Sequence, residues 1–362
     1  MSRNEEERNM KETMKGLVYH GNKTISLDDL PMPKIEKPDD VIGRVTASAI
    51  CTSDIHIVQG HAPAKAPLVL GHEFCIEVVE VGEAVKEQYK VGEHYVVAPL
   101  SFCGQCDMCK LGRVGRCENG GGFGIFQSGA QAEYIRVSNS RTCMYKVPDG
   151  VKDEEVLLVP DMLATGLFGI KQAGVQKGDT VAVIGLGPVG FCTCELLKKI
   201  YECNVIAITR QQESLEKAKR LGIADEIVNA TDSEMVGKVL QITGKGAPIV
   251  IETTGHQTTM ETAFDIVAYG GMISTVAVFG GPISVPFHTL VYKNARIAMG
   301  IQRAEGIADM IQYVKDGVID TTFALTHKVP LNDIIKGYEL FGLNGKRTPG
   351  CIKVVVTPWE DR

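Results

Sequence analysis

An α/β fold, a doubly wound parallel sheet lying in sequence between two parts of an antiparallel β domain, is predicted by three features of this 362-residue chain. Between Thr180 and Ile301 a short apolar run and an amphipathic stretch alternate roughly every 20 to 25 residues, as parallel βαβ units do. Before Thr180 the runs are short, Val/Ile-rich and broken by Gly and Pro, such as Ile76 to Val81, Tyr95 to Ala98 and Tyr134 to Val137. They read as antiparallel strands. After Ile301 a helical stretch, Ile307 to Lys315, gives way to strand-like runs ending in Cys351 to Val356. The tail is therefore expected to rejoin the first domain. The expected division is 1–163, 164–302 and 303–362, the outer two segments forming one domain, and a chain of this length exceeds what one core supports.

The strand runs of the central segment are Val181 to Ile184, Val205 to Ile208, Glu226 to Val228, Pro248 to Glu252, Gly271 to Val278 and Arg296 to Met299. Six is the number in a complete Rossmann dinucleotide-binding sheet. The pieces between them look helical: Pro188 to Ile200 opens on a proline near its first turn, and Glu213 to Leu221 stops at Gly222. The first strand runs straight into Gly185-Leu186-Gly187-Pro188-Val189-Gly190. In such a G-x-G-x-x-G loop the first glycine makes the tight turn, the second lets a pyrophosphate approach and the third lets helix pack on strand. The surrounding strand, helix and five further units supply the context that the pattern alone lacks.

At the end of the second strand, about 20 residues past that loop, NAD-binding domains place an acidic residue against the ribose 2'-hydroxyl. This chain has Thr209-Arg210 there. A guanidinium can hold a 2'-phosphate that a carboxylate would repel, so NADP(H) is favoured over NAD(H). The alternative is a solvated Arg210 in a protein that accepts either cofactor.

Composition bounds the partners. The chain is 44% hydrophobic and 23% charged, with 38 Lys+Arg against 44 Asp+Glu and a net charge of -6. That balance argues against nucleic-acid or anionic-membrane partners. Met1 to Lys15 is mostly polar and reads as a short disordered lead-in without an apolar signal core. No apolar run approaches the ~20 residues of a membrane span. The 11 cysteines, an odd number in clusters, suit a reducing cytosol and free or metal-bound thiols. Cys75, Cys143, Cys192, Cys194, Cys203 and Cys351 are expected to be buried small hydrophobes.

Four of the remaining cysteines form Cys103-x2-Cys106-x2-Cys109-x7-Cys117. Four thiolates close together can close a tetrahedral zinc shell, leaving no room for a substrate, so this is expected to be a structural zinc site. A nucleic-acid zinc knuckle fits poorly with the acidic balance.

Gly71-His72-Glu73, Cys51 upstream of it, the nucleotide fingerprint and the four-cysteine lobe together resemble the zinc-dependent medium-chain alcohol dehydrogenases, over essentially the whole chain beyond its first 14 or so residues. The resemblance implies a GroES-like antiparallel β catalytic domain beside the Rossmann domain. It also implies a catalytic zinc on Cys51, His72 and a third ligand from Val159-Pro160-Asp161-Met162. Many relatives have cysteine in that third position. Asp161 is similar to the NADP-dependent secondary alcohol dehydrogenases of bacteria, some of which lack the four-cysteine lobe. Asp161 could instead cap a helix beginning at Met162.

By the same resemblance Glu73 either joins the zinc shell transiently or stays outside it as a nearby carboxylate. Ser53 would take the proton of the substrate hydroxyl, His56 would relay it outward, and Asp54 would orient His72; an exposed loop histidine is the other reading of His56. The expected activity is hydride transfer between a small alcohol and NADP(H), giving a ketone or aldehyde, in a cytoplasmic homodimer or homotetramer. Alternatives are an NAD(H)-dependent polyol, sugar or threonine dehydrogenase and a catalytically silent nucleotide-binding protein.

Overall fold

The computed structural model describes residues 12–359, and the seven-stranded sheet of its first unit is built around one long strand, β3. Among the described residues the strands before Thr180 are β1 (Thr13–Gly21), β2 (Thr24–Pro31), β3 (Val41–Ile50), β4 (Leu68–Val69), β5 (Glu73–Val81), β6 (His94–Val97), β7 (Leu100–Ser101), β8 (Gly121–Gly122), β9 (Tyr134–Val137) and β10 (Met144–Lys146). The polar lead-in expected over Met1 to Lys15 is shorter, since β1 starts at Thr13; its first 11 residues lie outside the described residues. β3 buries eight of its ten residues, with only Arg44 and Thr46 half-buried. It pairs antiparallel with β5, β9 and a strand from the tail.

The middle of the chain adds β11 (Thr180–Ile184), β12 (Asn204–Thr209), β13 (Glu226–Asn229), β14 (Ala247–Glu252), β15 (Val267–Thr275) and β16 (Arg296–Met299). All pair in parallel, in the spatial order β13-β12-β11-β14-β15-β16. Counting from the first strand, that is the 3-2-1-4-5-6 order of the Rossmann fold. The fifth strand lies earlier than the Gly271 to Val278 expected from the sequence. Its partner β14 ends at Glu252, which pairs with Thr275 and accepts a last hydrogen bond from the Val276 N–H at 3.1 Å, so Ala277 and Val278 extend past the end of that ladder.

The tail carries helix Ile307–Lys315, β17 (Leu325–Pro330), helix Ile334–Phe341 and β18 (Lys353–Thr357). β18 pairs antiparallel with β3, Val354 opposite Ile50, and parallel with β17. Contacts divide the chain into one unit made of the residues up to Asp161, Ile307–Lys315 and the residues from Thr321 on, and a second made of Met162–Gly306 and Asp316–Asp320. One helical stretch, Asp153–Ala173, matches a membrane span in length and hydropathy, which the sequence reading did not anticipate. Its apolar window is 72% buried, as in a core helix.

The first unit's core gathers Ile50, Ile57, Leu70, Tyr338, Phe341 and Val354, sealing the end of β3 from which the site residues project. Ile50 is fully buried there. Ile50→Ala is expected to cost about 2–5 kcal/mol, because the surrounding strands relax only partly into the cavity. The check is a fall in the urea midpoint of that unit.

Candidate active site

Cys51 follows the last residue of β3 directly and caps helix Thr52–Gln59. Its N–H donates to Asp54 Oδ2 at 2.9 Å, so the first turn is fixed by a fully buried carboxylate. His72 and Glu73 come from the start of β5. Gly71, before them, has φ +97° and lies so close to Gln131 that any side chain there would collide with it. Asp161 sits in a π-helical turn, Val159–Leu163, with helix on both sides. The capping alternative for Asp161 is thereby overturned: it lies inside the helical run, in a π turn of the kind that recurs at functional sites.

These four residues converge. Donor atoms of Cys51, His72, Glu73 and Asp161 all lie within 4.8 Å of one another. Asp161 Oδ2 is 3.5 Å from His72 Nε2 and 4.0 Å from Cys51 Sγ. In a tetrahedral zinc shell the corresponding N–O and S–O edges would be about 3.4 and 3.6 Å, given the usual bond lengths. The donor set therefore fits zinc with slight contraction. His72 Nδ1 stands 3.2 Å from Asp54 Oδ1, although neither atom has a formed hydrogen bond. Burial works against charge on His72, but Asp54, then Cys51, then the Asp161 contact outweigh it and hold its pKa well above the usual histidine value. The cluster attracts a cation at the position where zinc would sit.

Behind the cluster runs a chain that sequence reasoning missed. Tyr338 donates to Gln131 Oε1 at 2.7 Å, and Gln131 Nε2 donates to Asp54 Oδ2 at 3.2 Å. All three residues are buried at 0% exposure. Lys353, also at 0%, pairs with Glu73. Gln131 lies in a loop, Tyr338 in an amphipathic helix and Lys353 in a strand, and no motif marks them. Ser53 Oγ is 3.7 Å from Cys51 Sγ. Ser53 and His56 are both half-buried and lie three residues apart on the same helix, hence on one face. The His56 ring is 5.8 Å from that of His61, which is exposed.

The second cluster is the lobe between β7 and β8, which pair with each other and pinch its base. Sulfur separations are 3.5 Å for Cys106–Cys109, 3.5 Å for Cys103–Cys117 and 3.9 Å for Cys106–Cys117. The edge of a tetrahedral zinc tetrathiolate is about 3.8 Å. No disulfide forms among these thiols. Backbone N–H groups of Gln105 and Cys106 favour the Cys103 thiolate and draw its pKa down to about 6. The six cysteines outside both clusters, Cys75, Cys143, Cys192, Cys194, Cys203 and Cys351, are buried.

In the second unit the nucleotide loop follows β11. Gly185 has φ +93°, and a side chain on Gly190 would fall on the Gly185 carbonyl, whereas a Cβ on Gly187 would meet nothing within 4 Å. The loop is tight at its first and third glycines and open at its second, where backbone can face a phosphate. Pro188 and Val189 begin helix Pro188–Lys199. Thr209 is the last residue of β12 and buried; Arg210 follows it, exposed.

A GroES-like β unit carrying a buried Cys-His-carboxylate cluster, and a Rossmann sheet, together define a zinc-site dehydrogenase. Residues 37–149 match the alcohol dehydrogenase GroES-like domain and residues 188–316 the zinc-binding dehydrogenase domain. Over 339 residues the chain is 34% identical to zinc-type alcohol dehydrogenase B of Aspergillus flavus, covering 91% of this chain and 78% of that protein. Alcohol dehydrogenase TADH from Thermus sp. ATN1 superposes with a TM-score of 0.87 at 30% identity, covering 95% and 99% of the two chains. A zinc-binding dehydrogenase from Sinorhizobium meliloti 1021, solved with NADP, gives 0.87 at 26% identity over 96% and 100%. The chain belongs to the zinc-dependent medium-chain alcohol dehydrogenases.

Two outcomes follow for the metal sites. Cys106→Ser is expected to lose one zinc and Asp161→Asn the other, as measured by metal analysis of each purified variant. Because zinc must displace the proton that the cluster holds on His72, affinity at that site should rise with pH, about tenfold per unit where one proton is released. Chelator competition between pH 6 and 8 reads this directly.

Proposed function

We propose that this alcohol dehydrogenase interconverts a small alcohol and its ketone or aldehyde with NADP(H), using Cys51, His72 and Asp161 as catalytic zinc ligands. The observation that carries the reading is the convergence of those three donors, at 3.5 and 4.0 Å, beside Ser53. When bound, zinc supplies Lewis acidity at the substrate oxygen and the nicotinamide accepts or returns the hydride.

The chain's own residues do the rest. Three protein donors leave a tetrahedral ion one position for substrate. Ser53 Oγ receives the hydroxyl proton and His56, one turn on, passes it outward, since imidazole titrates near neutrality. Asp54, held by Gln131 and Tyr338, fixes the His72 ring so that Nε2 faces the cluster. Gly185, Gly187, Pro188, Val189 and Gly190 present backbone to the pyrophosphate. Thr209 and Arg210 favour the 2'-phosphate: the guanidinium is exposed at the strand end and no acidic residue occupies either place. Cys103, Cys106, Cys109 and Cys117 hold a structural zinc that rigidifies their lobe. A cytoplasmic homo-oligomer fits the cysteine usage and the family resemblance.

Ser53→Ala is expected to lower kcat for alcohol oxidation roughly 10²- to 10⁴-fold while leaving NADPH affinity unchanged. Stopped-flow hydride transfer and fluorescence titration check the two halves. Arg210→Asp should shift the NADPH/NADH ratio of kcat/KM by roughly tenfold to a hundredfold towards NADH, the worth of a charge-assisted hydrogen bond. An equal preference in both proteins would sink the phosphate assignment.

A further inference from the structure

Both side chains of the Lys353–Glu73 ion pair are at 0% exposure, and no step above uses the pair. Glu73 offers its two oxygens to different surroundings. Oε1 pairs with Lys353 Nζ. Oε2 is buried without a hydrogen-bond partner, and the carboxylate shares the cluster of Cys51, His72 and Asp161. A carboxylate removed from water with an unsatisfied oxygen needs a cation. With His72 neutral as a metal ligand, two are within reach: Lys353 and a metal bound by the neighbouring donors.

Charge counting separates them. The Cys51 thiolate and the Asp161 carboxylate already balance a divalent ion, and Asp54 stands against His72 as a further carboxylate, so Glu73 adds uncompensated negative charge unless Lys353 neutralises it. Lys353 is well placed for this. It is the first residue of β18, its N–H reaches Thr326 Oγ1 at 3.4 Å, and its ammonium lies 5.8 Å from the ring centre of Phe341. With the side chain fully enclosed, it cannot swing out to water.

We propose that Lys353 is a positioning residue that keeps Glu73 beside the metal rather than on it, so that the fourth coordination position stays available to substrate. The inference rests on the zinc reading above. Without Lys353, the cation left for Glu73 is the metal itself, and the carboxylate becomes a fourth protein ligand. The open site would then close in the manner of a structural one.

The test is made on the full-length enzyme with cobalt(II) in place of the catalytic zinc, reading the visible d–d bands. Azide, a small ligand for the open position, is titrated into each variant, and cobalt extraction by dipicolinate is timed. Lys353→Met is expected to weaken azide binding about tenfold or more and to slow extraction, an effect of the size that outer contacts exert at metal sites. Lys353→Met combined with Glu73→Gln should restore both, and Lys353→Arg should keep both. Removing Glu73 as well also relieves the unpaired buried charge, so recovered stability does not discriminate; azide affinity and extraction rate, which a merely structural role would not move, do.

Azide binding to Lys353→Met at the wild-type level, or no recovery in the double variant, overturns the proposal. If Lys353→Met does not fold, Glu73→Gln alone answers: unchanged azide affinity supports a carboxylate held off the metal, and about tenfold tighter binding shows that it already competes. Failure of the wild type to bind cobalt at this cluster, or unaltered cobalt binding by Asp161→Asn, would instead bring down the zinc reading beneath.

Discussion

The register of β3 is the constraint on which the metal site depends. Ala49 lies opposite Glu73 on β5, and Ile50 lies opposite Val354 on β18. Those pairings put Cys51, His72, Glu73 and Lys353 at one end of a single sheet, although they span some 300 residues of sequence. A slip of one residue in either ladder would turn the side chains of that strand to the opposite face. The slip is opposed by core packing, since Ile50 and Val354 face the same apolar cluster as Ile57, Tyr338 and Phe341. Hydrophobic burial thus sets the position of the polar groups.

Those polar groups carry strain of an electrostatic kind. A thiol, three carboxylates, an imidazole and an ammonium crowd together, all of them buried except the partly exposed Asp161. Burial alone would lower the pKa of Lys353, yet Glu73 and then Cys51 raise it above the ordinary lysine value. The same surroundings hold a proton on His72. Such a site attracts positive charge, and zinc satisfies it more completely than protons because one ion meets several donors at once. The four-cysteine lobe solves a simpler problem. Its donors come from one short loop, so local backbone geometry suffices to gather them.

The second unit divides its labour in a different way. Its sheet order and its glycine loop are consequences of local pattern: apolar strand, tight turn, helix, repeated. What the loop adds is backbone exposure at Gly187, and what β12 adds is a choice of side chain at its end. Neither requires long-range convergence beyond the pairing of β11 with its neighbours β12 and β14.

The sequence by itself determined the α/β class, the Rossmann strands to within a few residues and the four-cysteine cluster, because each is written in short-range periodicity or spacing. It erred where partners set the limits. β15 stops where β14 stops, and Asp161 sits in a π turn that no local pattern announced. Cys51, His72 and Asp161 were legible only through resemblance to a family, since nothing in their spacing brings them together. Gln131, Tyr338 and Lys353 left no mark in the sequence at all. Their roles come from positions 77 to 280 residues away from the groups they touch, fixed by strand register and core packing. A polar residue bound for the interior looks, in one dimension, like any other polar residue; only the folded chain reveals which ones have lost their water and whom they must face instead.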